Sequence, residues 1–371
     1  MKVAIVHEWF ASYAGSERVV EQMLACFPEA DLYSLVDFLP KELRFFVQHK
    51  PVTTSFIQRL PFARRHFRQY LPLMPLAIEQ FDLSAYDVVL SSNHAVAKGV
   101  LTGPDQVHIS YVHTPIRYAW DLQAQYLQQA GLNRGLRGAL TRGILHYLRL
   151  WDQSSAPRVD RFIANSRFIA RRLWKTYRRP AQVIYPPVDI DRFQWQCPRE
   201  DFYLVVSRFV PYKRVDLIVA AFGRLGLPLV VIGDGPLRSQ LQGADNIQCL
   251  GHQPDAVVTD YLQRCKAFVF AAEEDFGITV VEAQAAGAPV IAYGRGGACE
   301  TVSPKTGLLF SEQTVDALVQ AVKCFESKSC QFNSAEIRKN AERFSMDRFQ
   351  TEFRDLVHQT LLNFREDDRL E

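Results

Sequence analysis

The chain of 371 residues lacks the features that would place it in a specialised class. Its seven cysteines, Cys26, Cys197, Cys249, Cys265, Cys299, Cys324 and Cys330, are odd in number and scattered, with no CxxC pair or Cys/His cluster at zinc spacing. They read as reduced thiols of a cytosolic protein. No run approaches the roughly eighteen apolar residues of a membrane span. The opening Met1 to His7 is too short in its apolar stretch for a signal peptide and reads as a first strand. Neither sign of charge dominates: the net charge is +3, so nucleic-acid binding would need a local basic patch rather than bulk attraction. Internal repeats and low-complexity segments are absent, and so is the GxGxxG fingerprint of a dinucleotide fold.

What is present is ordinary globular composition, 48% hydrophobic and 22% charged, in a chain long enough for two domains. Short apolar runs at Val3 to His7, Asp31 to Leu35, Val88 to Leu90, His108 to Val112 and Phe162 to Ala164 predict strands. Val19, Val20, Met23, Leu24 and Phe27 recur between the first two at helical spacing. After Tyr185-Pro186-Pro187-Val188-Asp189 the alternation restarts, with strands expected at Tyr203 to Val206, Leu229 to Ile232, Ile247 to Leu250, Ala267 to Phe270 and Val290 to Ala292. Strands joined by crossover helices mean parallel sheets, hence two successive α/β units with a boundary near residues 186 to 200. Val315 to Phe364 is helical in pattern, with Phe349, Phe353, Leu356 and Leu361 as an apolar stripe on the last helix.

Phe56 to Leu76 carries Arg59, Arg64, Arg65 and Arg68 among aromatic and aliphatic residues, without one acidic residue. Such a segment suits an anionic membrane surface, or equally a solvated basic face. Arg134, Arg137, Arg142 and Arg149 form a second basic stretch.

The strongest chemical signal is Glu274-Asp275-Phe276-Gly277-Ile278-Thr279-Val280-Val281-Glu282, an acidic loop after a strand that leads into a small-residue helix. Glu274 then stands at the carboxyl end of a strand, where open α/β sheets bind ligands, and Glu282 about one turn inside the helix. One carboxylate can accept from sugar hydroxyls and the other from a ribose, while the free N–H groups of the helix start suit a phosphate. The plainer reading is a pair of solvated charges favoured by the helix dipole. Arg208 and Lys213 share the loop after Tyr203 to Val206, where two cations can neutralise a diphosphate leaving group; a surface basic loop is the plainer reading.

Other loops speak less clearly. Gly233-Asp234-Gly235-Pro236 reads as a tight strand-to-helix turn with Pro in the first helical turn. Gly15-Ser16-Glu17 could bring backbone N–H groups to a phosphate. His113 closes a strand and can bind a sugar hydroxyl, although a lone histidine is more often structural. Asp189-Ile190-Asp191 has the form of a metal-binding DxD, but with no third hard ligand nearby it reads as a turn and helix cap, and no metal site is expected.

The Glu274/Glu282 pair and the Arg208/Lys213 pair together resemble the family-4 retaining glycosyltransferases of the GT-B fold, over essentially the whole chain. Val6-His7-Glu8-Trp9, Tyr111 to Asp121, Tyr185 to Asp189 and Glu273 to Gly287 look like the O-antigen mannosyltransferase (WbaZ-like) branch. The resemblance implies an α/β chain of two Rossmann-like domains facing across a cleft: an acceptor domain over residues 1–186, a donor domain over residues 187–346, and a last helix, about 347–371, packing back. It further implies a GDP-mannose donor as substrate, no cofactor or metal, and a glycan or polyprenyl-diphosphate-linked acceptor. The expected place is the cytoplasm, with peripheral contact at the inner face of the membrane. In that scheme Arg208 and Lys213 hold the diphosphate, and Glu274 orients the sugar with Phe276, Gly277, Ile278 and Thr279 beside it. Glu282 takes the ribose, His113 the outer sugar hydroxyls, and Gly15 and Gly233 approach the donor. Paired glycines are usual in the first loop, whereas here Ala14 precedes Gly15. UDP-, GDP- or dTDP-linked glucose, galactose or rhamnose are the alternative donors. A nucleotide-sugar oxidoreductase or epimerase is disfavoured by the missing glycine fingerprint, and a catalytically dead sugar-binding protein by the intact charged set.

Overall fold

The structure, a computed structural model, describes residues 1–241, 244–328 and 331–367. Cys330 and the last four residues of the polar tail lie outside the described residues; the other six cysteines are free thiols. The chain forms two compact units, Met1–Tyr185 joined by the segment from Phe349, and Pro186–Arg348.

The first unit holds β1 (Val3–Phe10), β2 (Asp31–Asp37), β3 (Val52–Thr54), β4 (Val88–Asn93), β5 (Val107–Val112), β6 (Arg161–Ala164) and β7 (Ala181–Val183), in the order β3-β2-β1-β4-β5-β6-β7. All neighbours pair in parallel. Along β1 successive side chains serve opposite faces of the sheet. Val3 and Ile5 join a core with Val19, Val20, Met23 and Leu24 of the helix Gly15–Cys26, while Ala4 and Val6 join another with Ile57, Phe67 and Met74. The helix Met346–Asp367 lays Phe349, Phe353, Leu356, Val357 and Leu361 into the first of these cores. Phe349 stacks on Phe353 at 5.4 Å and meets Tyr111 of β5 edge-on at 5.9 Å.

The second unit holds β8 (Tyr203–Val206), β9 (Leu229–Ile232), β10 (Ile247–Gly251), β11 (Ala267–Phe270), β12 (Val290–Tyr293) and β13 (Gly307–Phe310), in the order β10-β9-β8-β11-β12-β13. The helices Val215–Leu225 and Val315–Lys328 cover one face with Leu217, Ile218, Phe222, Leu318, Val322 and Phe325. In each unit the chain builds outward from its first strand, then returns to the other side of it. The strand order therefore reverses between β1 and β4, and between β8 and β11. Loops leaving the carboxyl ends of such a pair diverge and open a crevice, the usual ligand position in open α/β sheets.

The α/β reading with two Rossmann-like parallel sheets holds, and the structure adds three strands to it. β3 and β7 are three half-exposed residues at sheet edges, too short to leave an apolar run in the sequence, whereas the edge strand β13 does carry a run, Leu308-Leu309-Phe310, that the sequence reading passed over. β4 also continues past Leu90 through Ser91, Ser92 and Asn93, polar but fully buried. Two loop readings need correction. The turn at Asp191 forms, but no helix follows; Asp191 pairs with Arg338 at 2.9 Å, and Arg338 also donates to the carbonyls of Ile190 and Ala285, which holds the segment irregular. Pro236 likewise opens no α-helix: a turn leads only to the 3-10 segment Arg238–Gln240, because Leu237 donates its N–H back to the Phe209 carbonyl at 3.1 Å.

Phe353 is fully buried, so Phe353→Ala leaves a cavity that its neighbours fill only in part. It is expected to destabilise the first unit by about 3–5 kcal/mol, read by urea denaturation, with a smaller loss for Phe353→Leu.

Candidate functional site

In the second unit, the sequence-predicted charges meet at the reversal of strand order. The loop after β8 carries Arg208 and Lys213, and the loop after β11 carries Glu274. Lys213 Nζ is ion-paired directly with Glu274 Oε1, both side chains less than one-fifth exposed. Arg208 is exposed and donates to the Tyr212 hydroxyl at 3.0 Å. A cation and a carboxylate are thus held on adjacent strand ends, with a second cation five residues before the first.

Glycines hold these loops in place. Gly233 has φ 139°, and a Cβ there would fall on the Ser207 carbonyl oxygen. Only a residue without Cβ lets the 233–236 turn lie against the Arg208 loop, where Phe209 donates its N–H to the Asp234 carbonyl at 2.9 Å. On the other side, Gly297 donates its N–H to the Glu274 carbonyl at 2.8 Å, and a Cβ on Gly296 would overlap that same oxygen. Gly233 is therefore placed as a packing residue of the loop that bears Arg208.

The small-residue helix runs Ile278–Ala285, with Gly277 before it in the left-handed region at φ 85°. Phe276, Gly277, Ile278 and Thr279 thus surround a helix start whose first N–H groups have no partner within the helix. Glu282, about one turn in, is buried and pairs with Arg192 at 2.6 Å. Arg192, which sequence reasoning passed over, follows directly on the Asp189-Ile190-Asp191 triplet.

The first unit brings together groups that the sequence reading mostly missed. Glu8, fully buried in β1, accepts from the backbone N–H groups of His94, Ala95, Val96 and Ala97 at 2.7–3.2 Å and meets His94 Nδ1 at 2.8 Å. Burial alone would raise its carboxyl, but His94, His7 and these donors hold it far below the usual range. His113 lies just past β5, its Nε2 2.9 Å from the Ser92 hydroxyl, so it is one of three neighbouring imidazoles rather than a lone histidine. Burial, with the nearby His94 and His7, pushes His113 down to about 3 and keeps it neutral. Gly15 opens the helix Gly15–Cys26, and the Ala14 N–H before it donates to Glu17 Oε2 at 3.1 Å. The signal that could have found this cluster was the charged pair His7-Glu8 inside an otherwise apolar strand. A further buried pair, Lys98 and Asp152 at 2.9 Å, is completed by Trp120 and Tyr177, which donate to the Asp152 carboxylate.

The family model described as Glycosyltransferase Family 4 matches residues 13–192, and the one described as Glycosyl transferases group 1 matches residues 188–344. The chain is 33% identical over 174 residues to the GDP-mannose-dependent alpha-(1-6)-phosphatidylinositol monomannoside mannosyltransferase of Mycobacterium tuberculosis, covering 37% of this chain and 44% of that one. It is 30% identical over 150 residues to an uncharacterised glycosyltransferase of Methanocaldococcus jannaschii, covering 38% and 42%. The chain thus spans less than half the length of either relative. Among solved structures, sucrose-phosphate synthase from Thermosynechococcus elongatus superposes with a TM-score of 0.74 at 16% identity, covering 98% of this chain and 100% of that one. Anabaena HepE in complex with UDP superposes with a TM-score of 0.69 at 15% identity, covering 97% and 100%. At these identities the likeness is one of fold.

Glu17 supports a pH prediction. Burial raises its carboxyl, but His7 and the surrounding donors outweigh this and bring it to about 2, from an ordinary 4.5. A depressed carboxyl contributes stability that is complete above its unfolded value and is lost as pH falls through the folded one. The stability gap between the wild type and Glu17→Gln should therefore shrink between pH 4.5 and 2, as read by urea denaturation at each pH.

Proposed function

Matched half by half to these two descriptions, the chain belongs to the family-4 glycosyltransferases of the GT-B fold, and we propose that it transfers a hexose from a nucleotide sugar with retention of configuration. Mannose from GDP-mannose is the first choice, in keeping with the mannosyltransferase of Mycobacterium tuberculosis. The acceptor is a glycan or a polyprenyl-diphosphate-linked glycan of cell-surface polysaccharide synthesis, in the manner of the O-antigen mannosyltransferases.

The observation that carries this reading is the Lys213–Glu274 pair at the strand-order reversal, beside the start of the helix Ile278–Ala285. A diphosphate brought there draws Lys213 and Arg208 onto its oxygens, and the helix N–H groups add to its binding. Glu274, released from Lys213, turns its carboxylate to the hydroxyls of the donor sugar. Glu282 takes the ribose hydroxyls once Arg192 yields. As the bond from the anomeric carbon to the phosphate oxygen breaks, the cations stabilise the charge left on the diphosphate, which accepts the proton of the incoming hydroxyl. The chain's own charges do this work without a metal.

Specific binding of a nucleotide stabilises the fold by mass action, so a thermal-shift screen of GDP, UDP, dTDP and their sugars tests the donor. Stabilisation by GDP and GDP-mannose, insensitive to EDTA, is expected. Stabilisation by UDP instead would move the donor to a UDP-sugar, the ligand class of the Anabaena HepE complexes. No response to any nucleotide would refute the transferase reading. Lys213→Ala and Glu274→Ala should each lower kcat/KM by about 100-fold or more, since each removes an interaction that strengthens toward the transition state.

We further propose that the first unit works at the cytoplasmic face of an anionic membrane, where a lipid-linked acceptor resides. Among the described residues no helix is long and apolar enough to cross a membrane. Arg64 and Arg65 are exposed beside Phe62, itself 79% exposed. The helix Gly135–Ser155 turns Leu136, Leu140, Tyr147 and Leu150 outward near Arg137 and Arg142. Arg64→Glu with Arg65→Glu should weaken co-sedimentation with phosphatidylglycerol vesicles while leaving hydrolysis of the free donor unchanged; equal sedimentation would remove the membrane from the scheme.

A further inference from the structure

Three buried side chains of the first unit form a line of contacts that ends on His113. Glu17 Oε1 lies 3.6 Å from His7 Nε2. His7 Nδ1 lies 3.0 Å from the Ser92 hydroxyl and 3.3 Å from the Ser92 carbonyl oxygen. The Ser92 hydroxyl lies 2.9 Å from His113 Nε2. His7 and Ser92 are fully buried and Glu17 nearly so, so these side chains face one another rather than bulk solvent.

What each atom can do sets the direction of the line. A carbonyl oxygen only accepts, so His7 Nδ1 carries a hydrogen toward Ser92. His7 Nε2 faces a carboxylate at 3.6 Å, which favours a hydrogen there as well. Burial would lower the His7 imidazole, but Glu17, Glu8 and the Ser92 carbonyl outweigh it and raise the group. The Ser92 hydroxyl, facing a donor on one side, must place its own hydrogen elsewhere, and His113 Nε2 is the acceptor in reach. His113 Nε2 is then bare and its Nδ1 carries the hydrogen, on a nitrogen with no hydrogen bond to any described residue.

We propose that Glu17, His7 and Ser92 are positioning residues that lock His113 into its Nδ1–H tautomer, so that this ring offers substrate a hydrogen-bond donor and cannot serve as a base there. That the acceptor of the N–H is a sugar or phosphate oxygen rests on the transferase reading above; the tautomer itself does not. The titratable groups facing the line are Glu8 and His94, which meet each other at 2.8 Å, and the His94 ring stands 6.4 Å from the His113 ring between centres. The lock also joins two regions far apart in sequence. Glu17, which carries the line's negative charge, is the same residue that takes the Ala14 N–H in the loop before the first helix.

Two-bond 1H–15N correlation spectra of the 15N-labelled full chain read which nitrogen of each imidazole carries hydrogen, and His113→Gln identifies the His113 signals. The wild type should show His113 neutral with hydrogen on Nδ1, and His7 with hydrogen on both nitrogens. Ser92→Ala should return His113 to a mixture rich in the Nε2–H form that free imidazole side chains prefer, and Glu17→Gln should let His7 lose a hydrogen at a lower pH than in the wild type. An Nε2–H His113 or a neutral His7 in the wild type would overturn the lock without recourse to any variant. An unchanged His113 tautomer in folded Ser92→Ala would overturn it too. These spectra need no donor: a lock seen in a protein that turns over no nucleotide sugar sinks the transferase reading alone, and normal turnover with the wrong tautomer sinks the lock alone.

Discussion

A parallel sheet covered by helices on both faces leaves polar side chains few places to go. Its faces are apolar, and its strands are paired along their length. Charge can collect only where strands end, and the widest gap between strand ends lies where the order reverses. Both units obey this constraint. In the second, Lys213 and Glu274 stand on the loops after β8 and β11, the two strands that flank the reversal. In the first, His7, Glu8 and Ser92 stand near the ends of β1 and β4, which flank the other.

The two crevices handle their charges differently. In the second unit the ion pair is partly exposed and an exposed Arg208 shares the loop of its lysine, so a bound diphosphate can compete for that lysine. In the first unit the carboxylates are inside. Glu8 fills a ring of four backbone N–H groups much as an anion fills a phosphate site. Such a buried charge is tolerable only when fully partnered, and removing one partner leaves the rest exposed to the desolvation penalty. The result is a fully partnered buried carboxylate beside His94, with His113 next to it. The Lys98–Asp152 pair, sealed by Trp120 and Tyr177, fixes the turn after β4 to the helix Gly135–Ser155 by the same means.

Much of this was legible before any coordinates. Of the thirteen strands among the described residues, ten announce themselves as short apolar runs, most of them central strands whose burial on both faces demands continuous hydrophobicity. Glu274 and Lys213 were readable because each sits in the loop that follows such a run. The edge strands β3 and β7 were not, since three half-exposed residues leave no apolar run. Arg192 escaped notice because its partner Glu282 is ninety residues away in sequence. Ser92 was invisible for a related reason: a serine at the end of a strand looks like the start of a loop until two histidines are found on either side of it.

Local pattern thus determined the class of fold, the number of α/β units and the residue types at the carboxyl edges, all of which depend on periodicity and strand ends that the chain carries in itself. Tertiary structure alone decided the pairings: Lys213 with Glu274, Arg192 with Glu282, Glu8 with the 94–97 turn, and Glu17 through His7 and Ser92 to His113. A hydrogen bond or ion pair depends on distances of about 3 Å between atoms, and only the folded crossovers bring together strand ends separated by tens of residues of chain.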